Sequence, residues 1–388
     1  MWQVENQTPF AVLGYFVRDR RGMENWVVAV RARFDIQENG LNAIAEDQGA
    51  IRIVPDYADD ESLELHAEAD LSPFRPKVDF VLAGNVTAPD DRAVNKMEAG
   101  FDLGSYSKRA LVFGTRRLRK KSGKLQLEGY EPFRECRLSW RNSLGGTDFV
   151  KADGPANGVN PIGMGWTSEW RTMPDGTEVV LPFVENPDAL INEGALPTPY
   201  GFGAIQPSWS PRATHAGTYD EDWRKYEAPL LPQDFSDRFF QAAPEDQIFD
   251  LKGGETGRVI GLHEGGEYAF RLPQIIMECA TWTDREKTAS RPRLVSVLLD
   301  GTQKTLEMVW NMAIPCAAGD TSISDCRVHV RQTPPLRASA WRVWRFPKRR
   351  FGKLNSPWTR IARSCASTTV RWRLTLPRSS RRVGMWPT

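Results

Sequence analysis

The chain lacks most of the features by which a sequence marks an enzyme, a membrane protein or a secreted domain. No apolar run approaches the roughly 20 residues that cross a bilayer as a helix. The opening MWQVENQTPF has neither the basic nor the apolar part of a secretory signal, so a cytoplasmic protein with no membrane partner is expected. Five cysteines, Cys136, Cys279, Cys316, Cys326 and Cys365, are widely spaced and odd in number. Such spacing gives no disulfide framework and no zinc knuckle; scattered reduced thiols are the plain reading. The four histidines, His66, His215, His263 and His329, are equally dispersed, so neither a metal nor a cofactor is expected. HExxH, GxSxG, Walker A and a strand-linked GxGxxG are all missing, and with them the common signatures of catalysis.

What is present is ordinary for a folded protein. Of 388 residues, 40% are hydrophobic and 26% charged, enough to bury a sizeable core. The 31 glycines and 27 prolines favour many turns and short elements, an all-β leaning. The net charge of +2 conceals an asymmetry. From Cys326 onward there are sixteen Lys and Arg and no acid, which leaves 35 basic against 49 acidic residues in the body.

Residues 24–36, ENWVVAVRARFDI, alternate with period two: Trp26, Val28, Val30, Ala32, Phe34 and Ile36 on one face, Arg31, Arg33 and Asp35 on the other. That pattern predicts a half-buried antiparallel strand. Turn residues at Asp19–Gly22 make FAVLGYFV (10–17) its hairpin partner. VDFVLAG (78–84), RALVFGTRRL (109–118) and KLQLEG (124–129) read as further strands, with the basic run Arg116–Lys121 as a solvated hairpin end. Two more hairpins are expected at 257–273, around Gly265–Gly266, and at 293–310, around Asp300–Gly301. No repeat and no alternation of strand and helix is visible. The expected fold is mainly β, with antiparallel sheets packed as a sandwich, a long loop-rich middle segment and few short helices.

Residues 1–325 read as one β-rich domain whose loop-rich insert runs from about 136 to 247. Residues 326–388 do not match the rest: they are basic, free of acids and hold five tryptophans after residue 337. A genuine disordered tail is poor in aromatics, so out-of-frame sequence in place of a native terminus is the favoured reading. A basic tail for nucleic acid competes with it.

The richest stretch runs from Pro199 to Gln247. It concentrates Trp209, Arg212, Tyr219, Asp220, Trp223, Asp234 and Phe235 in a span cut by six prolines. Rings at this density need burial or a partner, while the prolines prevent a central strand. The carboxylates Asp220, Asp222 and Asp234 beside aromatic platforms allow a hydrolase of carbohydrate or peptidoglycan. The alternative is structural: Thr218 or Asp220 capping one short helix, and Asp234 or Ser236 capping DRFFQA. On that reading the seven residues form a structural or partner-binding centre, with no catalytic residue.

The ordered motifs NQTPF, EADLSPFRPKVDFVLAGNVTAP, SLGG, NPIGMG, LPFVENP, TPYGFGAIQPSWSPRATHAGTYDEDWRKYEAPLLPQDFSDRFFQAAPEDQ and FRLP together resemble one bacterial family. It is the domain of unknown function 2169, found in type VI secretion gene clusters. The resemblance covers about residues 1–315 and is most specific at Gly217–Asp220, Trp223, Pro229–Pro232 and Asp234–Phe235. It departs at Leu144, where the family has an aromatic, and at Asn311, where the family tends to have Arg. The resemblance implies a cytoplasmic adaptor or chaperone that holds an effector toxin and helps load it onto the spike protein; the acidic body would suit a basic effector such as a nuclease.

Overall fold

The computed structural model describes residues 4–58, 64–151, 153–283 and 287–316, with the backbone of 323–332. All of these lie in the compact unit Met1–Arg337.

The period-two segment forms the strand Glu24–Ile36, and the turn before it closes as the sequence implies. The Asp19 carboxylate accepts the N–H groups of Arg21 and Met23, each at 2.9 Å. Gly22 takes the positive φ of 78° that the turn requires, and Ala11–Arg18 pairs back antiparallel. On its other side Glu24–Ile36 pairs with Thr305–Pro315, and the sheet continues through Arg293–Asp300 and Val78–Ala83 to Ile248–Phe249. With Asn42–Ile44 attached to Glu24–Ile36 this is a seven-stranded sheet. Its neighbours are antiparallel except Val78–Ala83 and Arg293–Asp300, which run parallel.

A five-stranded antiparallel sheet packs against it, in the order Val184–Glu185, Tyr106–Phe113, Lys96–Leu103, Thr256–Ile260, Glu267–Arg271. The inner faces meet through aromatic rings. Phe80 of the first sheet lies 4.6 Å from Phe101 of the second, centroid to centroid, and Phe249 approaches both, at 6.2 and 6.3 Å. Around them Val28, Val30, Phe34, Val112, Val259, Val297 and Met308 complete one continuous core. Each such side chain contributes about 1.5–3 kcal/mol by leaving water. The mainly β, antiparallel sandwich expected from the sequence is the fold. Its few helices are the α-helix Glu221–Tyr226 and short 3₁₀ turns.

Two local expectations need correction. Glu24–Ile36 is buried on both faces over most of its length, not half-buried. Loops cover the outer face of its sheet, so Arg31, on the polar side, is enclosed and must be paired. Its guanidinium donates to Glu307 and to the Ala50 carbonyl, both at 2.6 Å. Arg52 reaches the same Glu307 carboxylate and Asp70 at 3.4 Å. Burial alone would raise the Glu307 carboxyl, but Arg52 and Arg31 outweigh it and hold it below the usual range.

The segment 109–118 is also not one strand. Tyr106–Phe113 belongs to the sandwich, whereas Thr115–Lys121 pairs with Lys124–Glu131 and Glu178–Val180 in a separate three-stranded sheet. The break falls at Gly114, where a Cβ would lie 2.0 Å from the Glu131 carbonyl oxygen. The basic run is therefore a paired strand rather than a solvated end: Arg116 meets Glu185, Arg119 meets Glu178 at 3.3 Å, and Lys120 donates to the Arg171 carbonyl at 2.9 Å.

Val4–Asn6, Ile323–Gln332, Ile276–Thr283 and Lys287–Ser290 form a four-stranded sheet, and three two-stranded pairs accompany the larger sheets. The boundary expected at 325/326 falls inside Ile323–Gln332. Residues 333–388, with both readings of the basic segment, lie outside the described residues. Among the described residues no helix is long and apolar enough to cross a membrane.

Candidate functional site

The loop-rich middle is ordered by three devices built from its small and polar residues. The first is a clasp. SLGG and NPIGMG lie against each other, with Leu144–Gly145 bridging Met164–Gly165 in parallel. At Gly146, with φ of 85°, a Cβ would stand 2.2 Å from the Gly163 carbonyl oxygen, so only glycine fits. The Asn160 side chain, fully buried, donates to the carbonyls of Trp140 at 2.7 Å and Leu144 at 2.9 Å. Asp148 ties the outer turn: it accepts Thr167 Oγ1 at 2.6 Å, Ser168 Oγ at 2.7 Å, and the N–H groups of Ser168 and Val150 at 3.0 and 3.1 Å.

Burial alone would raise the Asp148 carboxyl, but the bonds from Thr167, Ser168 and Val150 outweigh it and hold it well below the carboxylate range. A depressed carboxylate stabilises the fold fully above its unfolded value of about 4, and the contribution fades as pH falls through the folded value. Asp148→Asn is therefore expected to cost about 1.5–3 kcal/mol at neutral pH. In denaturant titrations the gap between the two proteins should narrow from about pH 4 downward. A gap independent of pH would remove the carboxylate from this role.

The second device is a tryptophan stack. The Trp140 ring rests on Gly201, where a Cβ would lie 2.9 Å from the ring. Its Nε1 donates to the Gly203 carbonyl at 3.1 Å, and Trp209 meets it edge-on at 6.2 Å. Ile205 and Ile162 fill the rest of this small core.

The third is a set of buried side chains that pin the stretch to the outer face of the large sheet. Arg212 pairs with Glu68 at 2.6 Å and donates to the carbonyls of Phe239 at 2.8 Å and Ile205 at 2.7 Å. Arg75 donates to the Phe240 carbonyl at 2.9 Å, and Asp79 accepts the Ala242 N–H at 2.9 Å. Gln247, fully buried, donates to the carbonyls of Phe80 at 2.7 Å and Phe202 at 3.0 Å. Lys108 clamps both ends of the stretch, bonding the Gly201 carbonyl at 2.6 Å and Asp246 at 2.7 Å. Burial pulls its ammonium down to about 8 against the pull of Asp246.

Of the seven residues singled out by sequence, Trp209, Arg212 and Phe235 are buried in this base. Tyr219, Asp220 and Asp234 are exposed and Trp223 is half-buried; these four form a brim above it. Asp220 caps Glu221–Tyr226 by accepting the Trp223 N–H at 2.8 Å. Ser236 caps the turn Asp237–Phe240. Asp234 braces the Gly217 turn instead, accepting from Thr218 N–H at 2.9 Å and Oγ1 at 2.8 Å. Tyr219 stands edge-on to Trp223 at 4.7 Å, whose Nε1 donates to the Leu230 carbonyl at 2.9 Å.

Trp140, Asn160, Glu68, Arg75, Asp79 and Gln247 were not expected. The SLGG and NPIGMG motifs were the signal for the clasp alone.

A cleft of about 320 Å³ at the carboxyl ends of the parallel pair is lined by Glu64, His66, Asn85, Arg137, Asp300 and Thr302, among others. Its acids face internal donors: Glu64 accepts Ser139 Oγ at 2.7 Å and Trp140 N–H at 2.9 Å, and Asp300 accepts the N–H groups of Thr302 and Gln303. Neither Asp220 nor Asp234 lines it. Among the described residues no group of three His, Cys, Asp or Glu could hold a metal ion.

The fold is a β-sandwich with an interlocked loop cover, in which Asp148, Asp220 and Asp234 serve as braces and a cap. The chain belongs to the family described as uncharacterized protein conserved in bacteria (DUF2169), whose profile matches residues 21–311. No curated protein and no solved structure matches it.

Proposed function

We propose that the chain is a cytoplasmic adaptor that holds a type VI secretion effector and helps load it onto the spike protein. The observation that carries this reading is an apolar brim on the block most specific to the family. Tyr226 is 71% exposed, Tyr219 and Met23 each 45%, and Leu230 39%. Leu230 reaches the Gly22 turn, where a Cβ would meet its Cδ2 at 2.8 Å, so the brim and the hairpin tip form one surface. A cleft of about 180 Å³ lined by Asp19, Arg20, Arg21, Phe74 and Asp237 opens beside that tip. Aromatic anchors beside charged groups are what protein interfaces concentrate, and the acidic body would steer a basic effector.

Co-expression with the toxin encoded beside it tests the proposal. The wild-type chain should co-purify with that toxin. Tyr226→Ala with Leu230→Ala should weaken the complex about 30-fold or more, a hot-spot loss of about 2 kcal/mol, with the melting temperature unchanged. Failure of the wild-type chain to retain the toxin, or equal retention by the double variant, would sink it.

A further inference from the structure

We infer that the strand Lys124–Glu131 is a self-association edge, at which a second copy of this chain adds its own Lys124–Glu131 antiparallel across a two-fold axis at Leu127. The strand is the outer member of the three-stranded sheet, paired among the described residues only with Thr115–Lys121. The turn between them is two residues long, with positive φ at both Ser122 (50°) and Gly123 (77°), as a type I′ hairpin requires.

That turn fixes which backbone groups are free. Lys121 and Lys124 close the hairpin as a hydrogen-bonded pair, and the pairs then alternate along the register Lys120 with Leu125, Arg119 with Gln126, and Leu118 with Leu127. The N–H and C=O groups of Lys124 and Gln126 therefore point inward to the neighbouring strand. Those of Leu125 and Leu127 point outward, to the open edge.

The same residue carries the exposed side chain. Leu127 is 57% exposed, although it shares a face with Leu118 and Leu125, which pack on the small core of Trp170, Met173, Val179 and Leu181. Leu127 thus overhangs the edge of that core, and among the described residues no strand pairs on its outer side. An axis perpendicular to the sheet places Leu127 opposite Leu127 of the second copy, with both outward backbone groups exchanged. The register shift between Arg117 and Leu118 leaves Glu128 as an extra residue on this strand, a bulge that ends the shared ladder just past Leu127.

Charge fits the same occupant. The strand runs from a basic beginning, Lys124, to an acidic end, Glu131, while Lys121 and Glu128 already pair within the chain. Antiparallel self-pairing lays each basic end beside the acidic end of the other copy, whereas parallel pairing would set like charges together.

Sedimentation of the full chain at micromolar concentration tests this. The wild-type chain should show a reversible dimer. Leu127→Lys, which sets two ammonium groups face to face at the axis, should weaken it about 10-fold or more while circular dichroism and the melting curve stay the same, Leu127 being exposed. Leu127→Cys should cross-link to a covalent dimer under mild oxidation, since a hydrogen-bonded antiparallel pair holds its Cα atoms about 5.5 Å apart, within disulfide reach. Lys124→Cys and the wild-type chain, treated alike, should not. A monomeric wild-type chain, a dimer unaffected by Leu127→Lys, or cross-linking no better at position 127 than at position 124 would each overturn the inference.

Discussion

Arg212→Ala is expected to destabilise the chain by about 3–5 kcal/mol, measured by guanidinium unfolding. The size follows from what the substitution strands. The Glu68 side chain that Arg212 pairs with at 2.6 Å is only 11% exposed, so removing the guanidinium leaves a desolvated carboxylate without its counter-ion, held by the Ala69 N–H at 2.9 Å. The carbonyls of Phe239 and Ile205 lose their donors at the same time. Arg212 thereby joins three separate segments: the loop bearing Glu68, the Ile205 strand of loop and the Phe239 turn. Arg212→Lys retains the charge but not the planar fork that serves three acceptors, and should cost less than the alanine variant yet more than a surface change. A loss below about 1 kcal/mol for Arg212→Ala would mean that the pair contributes nothing beyond its own desolvation.

Trp140→Ala is expected to cost about 3–5 kcal/mol, as large-to-small changes at buried tryptophan do. Loss of volume is one part; the indole N–H bond to Gly203 is another. A double-mutant cycle separates this site from a generic cavity. Gly201→Ala in the parent presses a methyl against the indole, 2.9 Å away, and should cost about 1–3 kcal/mol. In the Trp140→Ala background that methyl enters vacated space, so its cost should vanish or reverse, a coupling of about 0.5–3 kcal/mol. Additive costs would show that the ring does not rest on Gly201.

The sheets were legible in the sequence because their signals are local. Period two over 24–36 and the Asp19–Gly22 turn predicted a hairpin that the structure contains. What failed was the environment of each face. Arg31 and Arg33 look solvent-bound in a window of thirteen residues, yet the partner that permits burial of Arg31 is Glu307, 276 residues away. Gly114 gave no sign of a sheet change, since the carbonyl that excludes a side chain there belongs to Glu131. At the candidate site the caps were half legible. Asp220 and Ser236 cap as their spacing to the following turn suggests. Asp234 had the same local credentials, but its donors sit on Thr218, across a loop. The clasp was visible only as glycine and asparagine density, because interlocking is a relation between two motifs and neither carries it alone.

The long strand Glu24–Ile36 has a consequence for how the protein comes into being. One neighbour, Ala11–Arg18, leaves the ribosome before it; the other, Thr305–Pro315, follows nearly the whole domain later. At bacterial elongation rates of about 5–20 residues per second, the 276 residues between Arg31 and Glu307 take roughly 14–55 s to make. Throughout that interval the nascent hairpin presents a bare edge and an arginine awaiting its counter-ion. Stalling or cleavage upstream of residue 305 would therefore release a fragment with an open, adhesive sheet rather than a smaller folded domain.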